Sequence, residues 1–381
     1  MTSNELGLPS VMVNRETLHN QLAERRAILY DQLLERNVSG LLLTSRENTR
    51  YLTGFTGTTS LTLISPEGST ILVDSRYIEQ ARNQCAAADL EVTLIQQNRK
   101  TELYKLIEGL KTQTIGIEDK DLTVSQHKEL MQGIANLKVE GLSDLLANNR
   151  VCKDEIELAL LKRAVAISDE AWTELIPWIR IGMSEMEIAG RLEYLMRKKG
   201  ASGPSFDTII GSGYRSALPH GVASEKKIEE GDVIVMDFGC QYQGYCSDIT
   251  RTVFVGHIDE EMGNIYDIVL AAHNKAKEGI KAGIAGKAAD GIARAVIEEA
   301  GYGEYFGHSL GHGIGLLIHE APNFSPSFEG SIPAGSVLSV EPGIYLPGKG
   351  GVRIEDIGVV TESGYVTFTQ ASQEKVVIAA E

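Results

Sequence analysis

Residues 228–239, IEEGDVIVMDFG, align without a gap on residues 332–343, IPAGSVLSVEPG. In both stretches an acid stands six residues after a glycine: Asp237 after Gly231, and Glu341 after Gly335. VIVMD has the pattern of a buried strand, with Val233, Val235 and Asp237 on one face, and VLSVE repeats it with Val337, Ser339 and Glu341. A histidine precedes each segment, His220 and His319. Upstream of each lies a helical stretch bracketed by glycines 18 residues apart, Gly182 with Gly200 and Gly283 with Gly301. The first of these starts with Ser184 and Glu187 in capping-box spacing. The repeat predicts two related α/β halves about a pseudo-two-fold axis, which would bring the two acids into one central site.

A carboxylate that ends an apolar strand is costly to bury unpaired. Two of them at close range need a cation between them. Each acid also has a companion. Asp248 lies 11 residues beyond Asp237, across the turn CQYQGYCS, and Glu355 lies 14 beyond Glu341, across YLPGKGG in the segment VRIED. Each pair is expected on adjacent strands of a hairpin, so that four carboxylates converge. Histidines come from GHSLGHGIGLLIHEAP, residues 307–322, which holds His308, His312 and His319. No Gly-Lys-Ser/Thr follows, so this is not a phosphate loop. HExxH is absent and Pro322 would stop a helix, so it is not a zincin helix either. Four carboxylates and one imidazole suit two divalent ions, whose positive charge the carboxylates balance. Oxygen-rich ligation favours Mn(II), with Co(II), Fe(II) or Zn(II) as alternatives. Two ions about 3.5–4 Å apart can hold a bridging hydroxide and polarise a carbonyl, the chemistry of amide or ester hydrolysis.

Outward from this core, Asp154 and Glu157 form a capping box that starts a long helix with Leu158, Leu161, Val165 and Trp172 on its buried stripe and Pro177 at its end. A boundary near residues 145–153 separates it from a leading region that alternates helix and strand. There, residues 14–36 and 75–87 read as helices. SGLLLTS, EVTLIQ and TIGIED read as strands, and TSLTLISPEGSTILVD as two strands around a Pro-Glu-Gly turn. The expected fold is α/β (α+β), with a small N-terminal α/β domain with a mixed sheet over 1–150 and a catalytic domain over 151–381.

The net charge is −16, of which residues 151–381 carry −13. Such a balance argues against nucleic acid or an anionic membrane as partner. No apolar run reaches 18 residues, so no spanning helix is expected. MTSNELGLPSVMVNRE lacks the basic start and apolar core of a secretory signal. Cys85, Cys152, Cys240 and Cys246 include no CxxC and are read as reduced thiols of a cytoplasmic protein.

MDFG with SDITRT, LGHGIGLLIHEAP, SVEPGIY and VRIED, in that order, resemble the pita-bread metallopeptidase family, which includes aminopeptidase P, prolidase and methionine aminopeptidase. The resemblance spans nearly the whole chain. It implies that Asp237, Asp248, His312, Glu341 and Glu355 hold the metals, with Asp248 and Glu355 bridging the two ions. By the same resemblance Glu341 also takes a proton from the bridging water. His220 stands near the scissile bond, His319 steadies the tetrahedral intermediate, and Arg353 pairs with substrate or with ligand carboxylates. His308 and Tyr345 contribute to the substrate side. The long leading region, with NTRYLTGFTG (48–57) and DSRY (74–77), resembles the proline-specific members. The implied substrate is a peptide with proline second, and the implied assembly a homodimer. The expected activity is that of a proline-specific aminopeptidase, with a strict Xaa-Pro dipeptidase as the alternative. More remote readings on the same fold are a metal-free creatinase-like amidinohydrolase and a non-catalytic binding module; both would be expected to lose ligands that are present here.

Overall fold

The computed structural model describes residues 15–85, 89–96 and 98–379. The N-terminal residues read above as lacking a secretory pattern therefore lie, up to Asn14, outside the described residues, as do the last two residues of the helix expected over 75–87. The chain divides into two units between Asn149 and Arg150.

The first unit runs α1 (Arg15–Glu35), β1 (Gly40–Leu43), α2 (Arg46–Thr53), β2 (Leu61–Ile64), β3 (Ser69–Val73), α3 (Ile78–Gln84), β4 (Leu90–Leu94), α4 (Arg99–Glu108), β5 (Thr114–Ile117), α5 (Val124–Gly133), β6 (Lys138–Gly141) and α6 (Ser143–Asn149). Its six strands form one sheet in the order β4-β3-β2-β1-β5-β6. The sheet is mixed, as the sequence predicted: β2 pairs antiparallel with β1 and β3, while β1–β5, β3–β4 and β5–β6 are parallel. Central strands buried on both faces explain their uninterrupted apolar runs. The buried carboxylate of Glu118 is satisfied locally. It accepts from the backbone N–H of Ser45, at 2.9 Å, and from the side chains of Ser45 and Asn48.

The second unit runs α7 (Glu155–Leu175), α8 (Glu185–Lys198), β7 (Gly203–Pro204), β8 (Ile209–Ser212), β9 (Val233–Phe238), β10 (Cys240–Tyr242), β11 (Tyr245–Cys246), β12 (Ile249–Val255), α9 (Glu260–Gly279), α10 (Gly286–Glu299), β13 (Gly311–Gly313), β14 (Glu320–Phe324), β15 (Val337–Val340), β16 (Gly343–Leu346), β17 (Gly350–Arg353), β18 (Asp356–Thr361), β19 (Gly364–Thr367) and β20 (Val376–Ile378). Asp154 and Ser184 each form the expected capping box. Leu161, Val165 and Trp172 are buried on α7, and Pro177 follows its end in a short 3-10 turn.

The repeat is physical. One sheet, β20-β12-β9-β8, is covered by α7 and α8; the other, β14-β13-β15-β18-β19, packs against α9 and α10. The hydrogen bonds around the repeated glycines correspond one to one. Gly182 N–H donates to Ile228 O at 2.8 Å, and Gly283 N–H to Ile332 O at 2.9 Å. Gly231 N–H donates to Val255 O, and Gly335 N–H to Val360 O, both at 2.9 Å. Gly231 and Gly335 share φ of 87°, a left-handed backbone in which any other residue type is strained. Both pairs thus mark the same turn into the same strand, used twice.

The acids sit slightly differently from the hairpin expectation. Asp237 lies within β9, but Asp248 is the residue just before β12, so Thr250 faces Asp237 across the ladder. Glu341 follows β15, and Glu355 lies in the break between β17 and β18 rather than in one continuous strand. The break is tolerated because β12 satisfies its backbone. Glu355 N–H donates to Thr250 O at 3.1 Å, and Arg251 donates to Glu355 O at 2.6 Å. Strand β13 approaches β15 so closely that a Cβ on Gly311 would lie 2.0 Å from Ser339 O. Gly311→Ala is therefore expected to cost about 1–3 kcal/mol, read as a lowered urea midpoint of the metal-free chain with an unchanged m-value.

Candidate metal centre

The site is built by the ends of strands in the second unit. Asp237 and the pair Asp248–Thr250 come from β9 and the start of β12; His312 comes from β13, and Glu341 and Glu355 flank the β15–β18 pair. Asp237, Asp248, His312, Glu341 and Glu355 line a cavity of about 650 Å³ together with His220, His308, His319 and Arg353. His312 Nε2 lies 3.3 Å from Glu341 Oε1 and 3.6 Å from Asp248 Oδ2. Ligand atoms of Asp248, His312 and Glu355 fall within 4.8 Å of one another.

Several hydrogen bonds orient these groups. Ser339 Oγ accepts from His312 N–H at 3.0 Å and donates to Glu341 Oε1 at 3.1 Å. Thr250 Oγ1 donates to Glu355 Oε2 at 2.7 Å. Arg353, buried, donates to Asp237 Oδ2 at 2.6 Å and to the Tyr345 hydroxyl at 2.7 Å. The other oxygens of three acids, Asp237 Oδ1, Asp248 Oδ1 and Glu355 Oε1, are buried without a hydrogen-bond partner among the described residues. Orphaned buried carboxylate oxygens are rare because they forfeit hydration for nothing. Divalent cations are the group that fits them: one guanidinium cannot balance four carboxylates, and the donor set of carboxylates and an imidazole suits hard to borderline metals.

The electrostatics agree. Burial, reinforced by Glu355, Asp237 and Glu341, pushes the Asp248 carboxyl well above its ordinary range. Burial, with Glu341 and Asp237, does the same to Glu355. Glu341 is raised to about 7, first by burial and then by Asp237, with Arg353 working against both. His312 is lowered, mainly by burial, which keeps its imidazole neutral and available as a ligand. His308 is lowered to about 4, chiefly by burial and then by the Arg353 charge, and His319 is lowered by burial and by its neighbour His312.

The sequence-predicted residues do not all stand on the cavity wall. The five ligand candidates, His220, His308, His319 and Arg353 do. Tyr345 is buried behind it, its hydroxyl between His308 Nε2, at 2.9 Å, and Arg353. Arg353 meets one of its two kinds of expected partner, the carboxylate of the ligand candidate Asp237. Sequence reading assigned no role to Thr250 and Arg251, though both stand in the SDITRT stretch. For Thr250 the signal was available: a residue two past a strand-edge acid faces the same sheet surface. Asn323, Ser325 and Ser327, also on the wall, gave no such signal.

Two related halves that close on four carboxylates and an imidazole have the makeup of a metallopeptidase, and similarity to known proteins agrees. Residues 159–362 match metallopeptidase family M24, and residues 25–152 match the creatinase/prolidase N-terminal domain. The chain belongs to metallopeptidase family M24 and has its pita-bread fold behind an N-terminal domain. It is 41% identical to an Xaa-Pro dipeptidase of Pyrococcus horikoshii over 90% of this chain and 96% of that one. The solved structure of an Xaa-Pro dipeptidase from Bacillus anthracis matches with a TM-score of 0.90 at 43% identity, covering 93% of this chain and 99% of the other. An X-Pro aminopeptidase structure from Thermotoga maritima matches at 0.87 and 42%, over 93% of this chain and all of the other. Membership in a metallopeptidase family brings with it a dependence on divalent metal ions. Among the described residues no helix is long and apolar enough to cross a membrane.

Raised carboxyl pKa values have a definite sign. The stability they contribute to the metal-free chain is full below the ordinary value of about 4.5 and is lost as pH rises through about 7 for Glu341. Metal should reverse that loss. Mn(II) at about 100 times its dissociation constant should raise the melting temperature by about 5–10 °C at pH 8, and by much less at pH 5, where protons compete. In Asp248→Ala the rise at pH 8 should vanish; differential scanning calorimetry of the stripped protein with and without Mn(II) measures both.

Proposed function

We propose that this chain hydrolyses the Xaa-Pro peptide bond, with the chemistry in residues 151–381 and the leading domain in 1–150. What carries the reading is the convergence of Asp237, Asp248, His312, Glu341 and Glu355 on one cavity, with three carboxylate oxygens left without a partner among the described residues. These five residues would hold two divalent ions, Mn(II) being favoured by the oxygen-rich donor set over Co(II), Zn(II) or Fe(II). Such ions, when bound, supply Lewis-acid polarisation of the scissile carbonyl and a nucleophile at neutral pH.

The chain's own groups do the rest. Glu341, on the cavity wall, takes a proton from the attacking water and passes it on to the departing prolyl nitrogen. A prolyl nitrogen carries no hydrogen before cleavage, so the site has no donor to satisfy there, and a snug wall can select the ring. His319 and His220, both on the wall, donate hydrogen bonds to the carbonyl side as it becomes tetrahedral. Arg353 holds Asp237 in place, and Tyr345 links it to His308. Creatinase-like amidinohydrolase chemistry and a non-catalytic module both fit poorly, since all five ligand positions keep their chemistry and meet in space.

Relatives named Xaa-Pro dipeptidase favour the dipeptidase form of this activity over the broader aminopeptidase. Four cysteines, none in a disulfide, support a reducing, cytoplasmic setting. The family resemblance supports a homodimer. The stripped protein reloaded with Mn(II) is expected to cut an Xaa-Pro dipeptide, and the same peptide extended by several residues more slowly. Equal cleavage of both, followed by liquid chromatography, would move the assignment to the aminopeptidase. Two bound metals with neither peptide cut would overturn the substrate.

A further inference from the structure

The segment from Gly313 to Glu320 joins the two histidines His312 and His319 and has no sheet partner of its own along most of its length. Its end is held by a buried ion pair. Glu320 Oε2 lies 3.1 Å from Arg150 Nε, with the two side chains only 2% and 7% exposed. Its second oxygen, Oε1, accepts from Leu317 N–H at 3.1 Å and so closes the turn. Two glycines of the GHGIG motif make room for this arrangement. A Cβ on Gly315 would lie 2.2 Å from Glu320 Oε1, and one on Gly313 would lie 2.7 Å from Glu320 O. The same segment is tied to the strand that leads to Asp248, because Cys246 N–H donates to Gly315 O at 2.8 Å.

A buried ion pair is a poor device for stability, since apolar residues of the same volume often serve as well or better. It is a good device for geometry, because both partners must be met at fixed positions. Glu320 is the first residue of β14 and sends its side chain inward; His319, the residue before it, lies on the cavity wall with its ring centroid 4.3 Å from that of His312. His319 closes the bend of residues 315–319 that ends at Glu320, so its backbone is held on one side by the Glu320 anchor and on the other by the Cys246–Gly315 bond. The anchoring of Glu320 therefore sets where His319 points.

We propose that Glu320 and Arg150 are positioning residues for the reaction, acting through His319. This rests on the role given to His319 above. The Mn(II)-loaded enzyme is assayed on an Xaa-Pro dipeptide as wild type, Glu320→Gln, His319→Ala and the double variant, with bound metal counted in each. Glu320→Gln should keep its two metals, lower kcat about tenfold or more and leave KM within twofold. In the His319→Ala background it should cost less than a further twofold. Losses that multiply in the double variant, or a Glu320→Gln enzyme within twofold of wild type, would overturn the proposal. Wild-type activity in His319→Ala would instead remove the role of His319 itself, and the positioning role with it. Should Glu320→Gln not fold, Arg150→Lys gives the same cycle: it keeps the charge but not the guanidinium's reach, and its smaller loss in kcat must also disappear when His319 is absent.

Discussion

Everything in the second unit answers to one electrostatic constraint: four carboxylates facing a single cavity. Like charges so close together in a buried setting raise one another's pKa, and Asp248, Glu341 and Glu355 all show this. A protein can meet such a cost with protons, with cationic side chains or with metal. Here one guanidinium, Arg353, is committed to Asp237, and Asp237 Oδ1, Asp248 Oδ1 and Glu355 Oε1 are buried with no hydrogen-bond partner among the described residues. The fold keeps these charges together because each belongs to a strand end that the rest of the domain holds rigidly.

That rigidity comes from duplication. Each half offers a glycine turn, a strand that ends in an acid, and a pair of helices that cover its sheet. The two copies diverge where their roles do. The Asp237 half interposes the short β10–β11 hairpin before Asp248, and the other half interposes the β16–β17 hairpin before Glu355. That hairpin carries Tyr345 and Arg353, the link between His308 and Asp237. Each half also orients the acids of the other: Thr250 of the first holds Glu355, and Arg353 of the second holds Asp237.

Much of this was legible in the chain itself. Residues 228–239 and 332–343 announced the duplication because strand period, glycine turn and terminal acid are all local signals. Asp154, Ser184 and their glutamates announced helix starts for the same reason. The interruption at Glu355 was not legible, since it depends on Arg251 and Thr250 satisfying a backbone more than a hundred residues away. Nor was the place of Tyr345, which the family resemblance put on the substrate side and packing put behind the wall. Residues that act through distant backbone leave no periodic trace, so Arg251 became visible only in three dimensions.

Arg251 shows how far such support extends. It is fully buried and donates to the carbonyls of Thr250 and Glu355, to Ala371 and Ser372, and to the carboxylate of Asp356. Asp356 in turn receives Lys277 at 2.8 Å and Gln373. Burial alone would raise the Asp356 carboxyl, but His273, Arg251 and Lys277 together hold it below the ordinary range, in contrast to its neighbour Glu355. Two adjacent acids thus take opposite electrostatic states. Asp356 is fully paired within the protein, so its place is settled before any cation arrives; Glu355, one residue earlier, inherits that fixed backbone and keeps an oxygen in reserve. Preorganisation of this kind lets a metal bind without reordering the chain, and it explains why the costly acid sits directly beside the satisfied one.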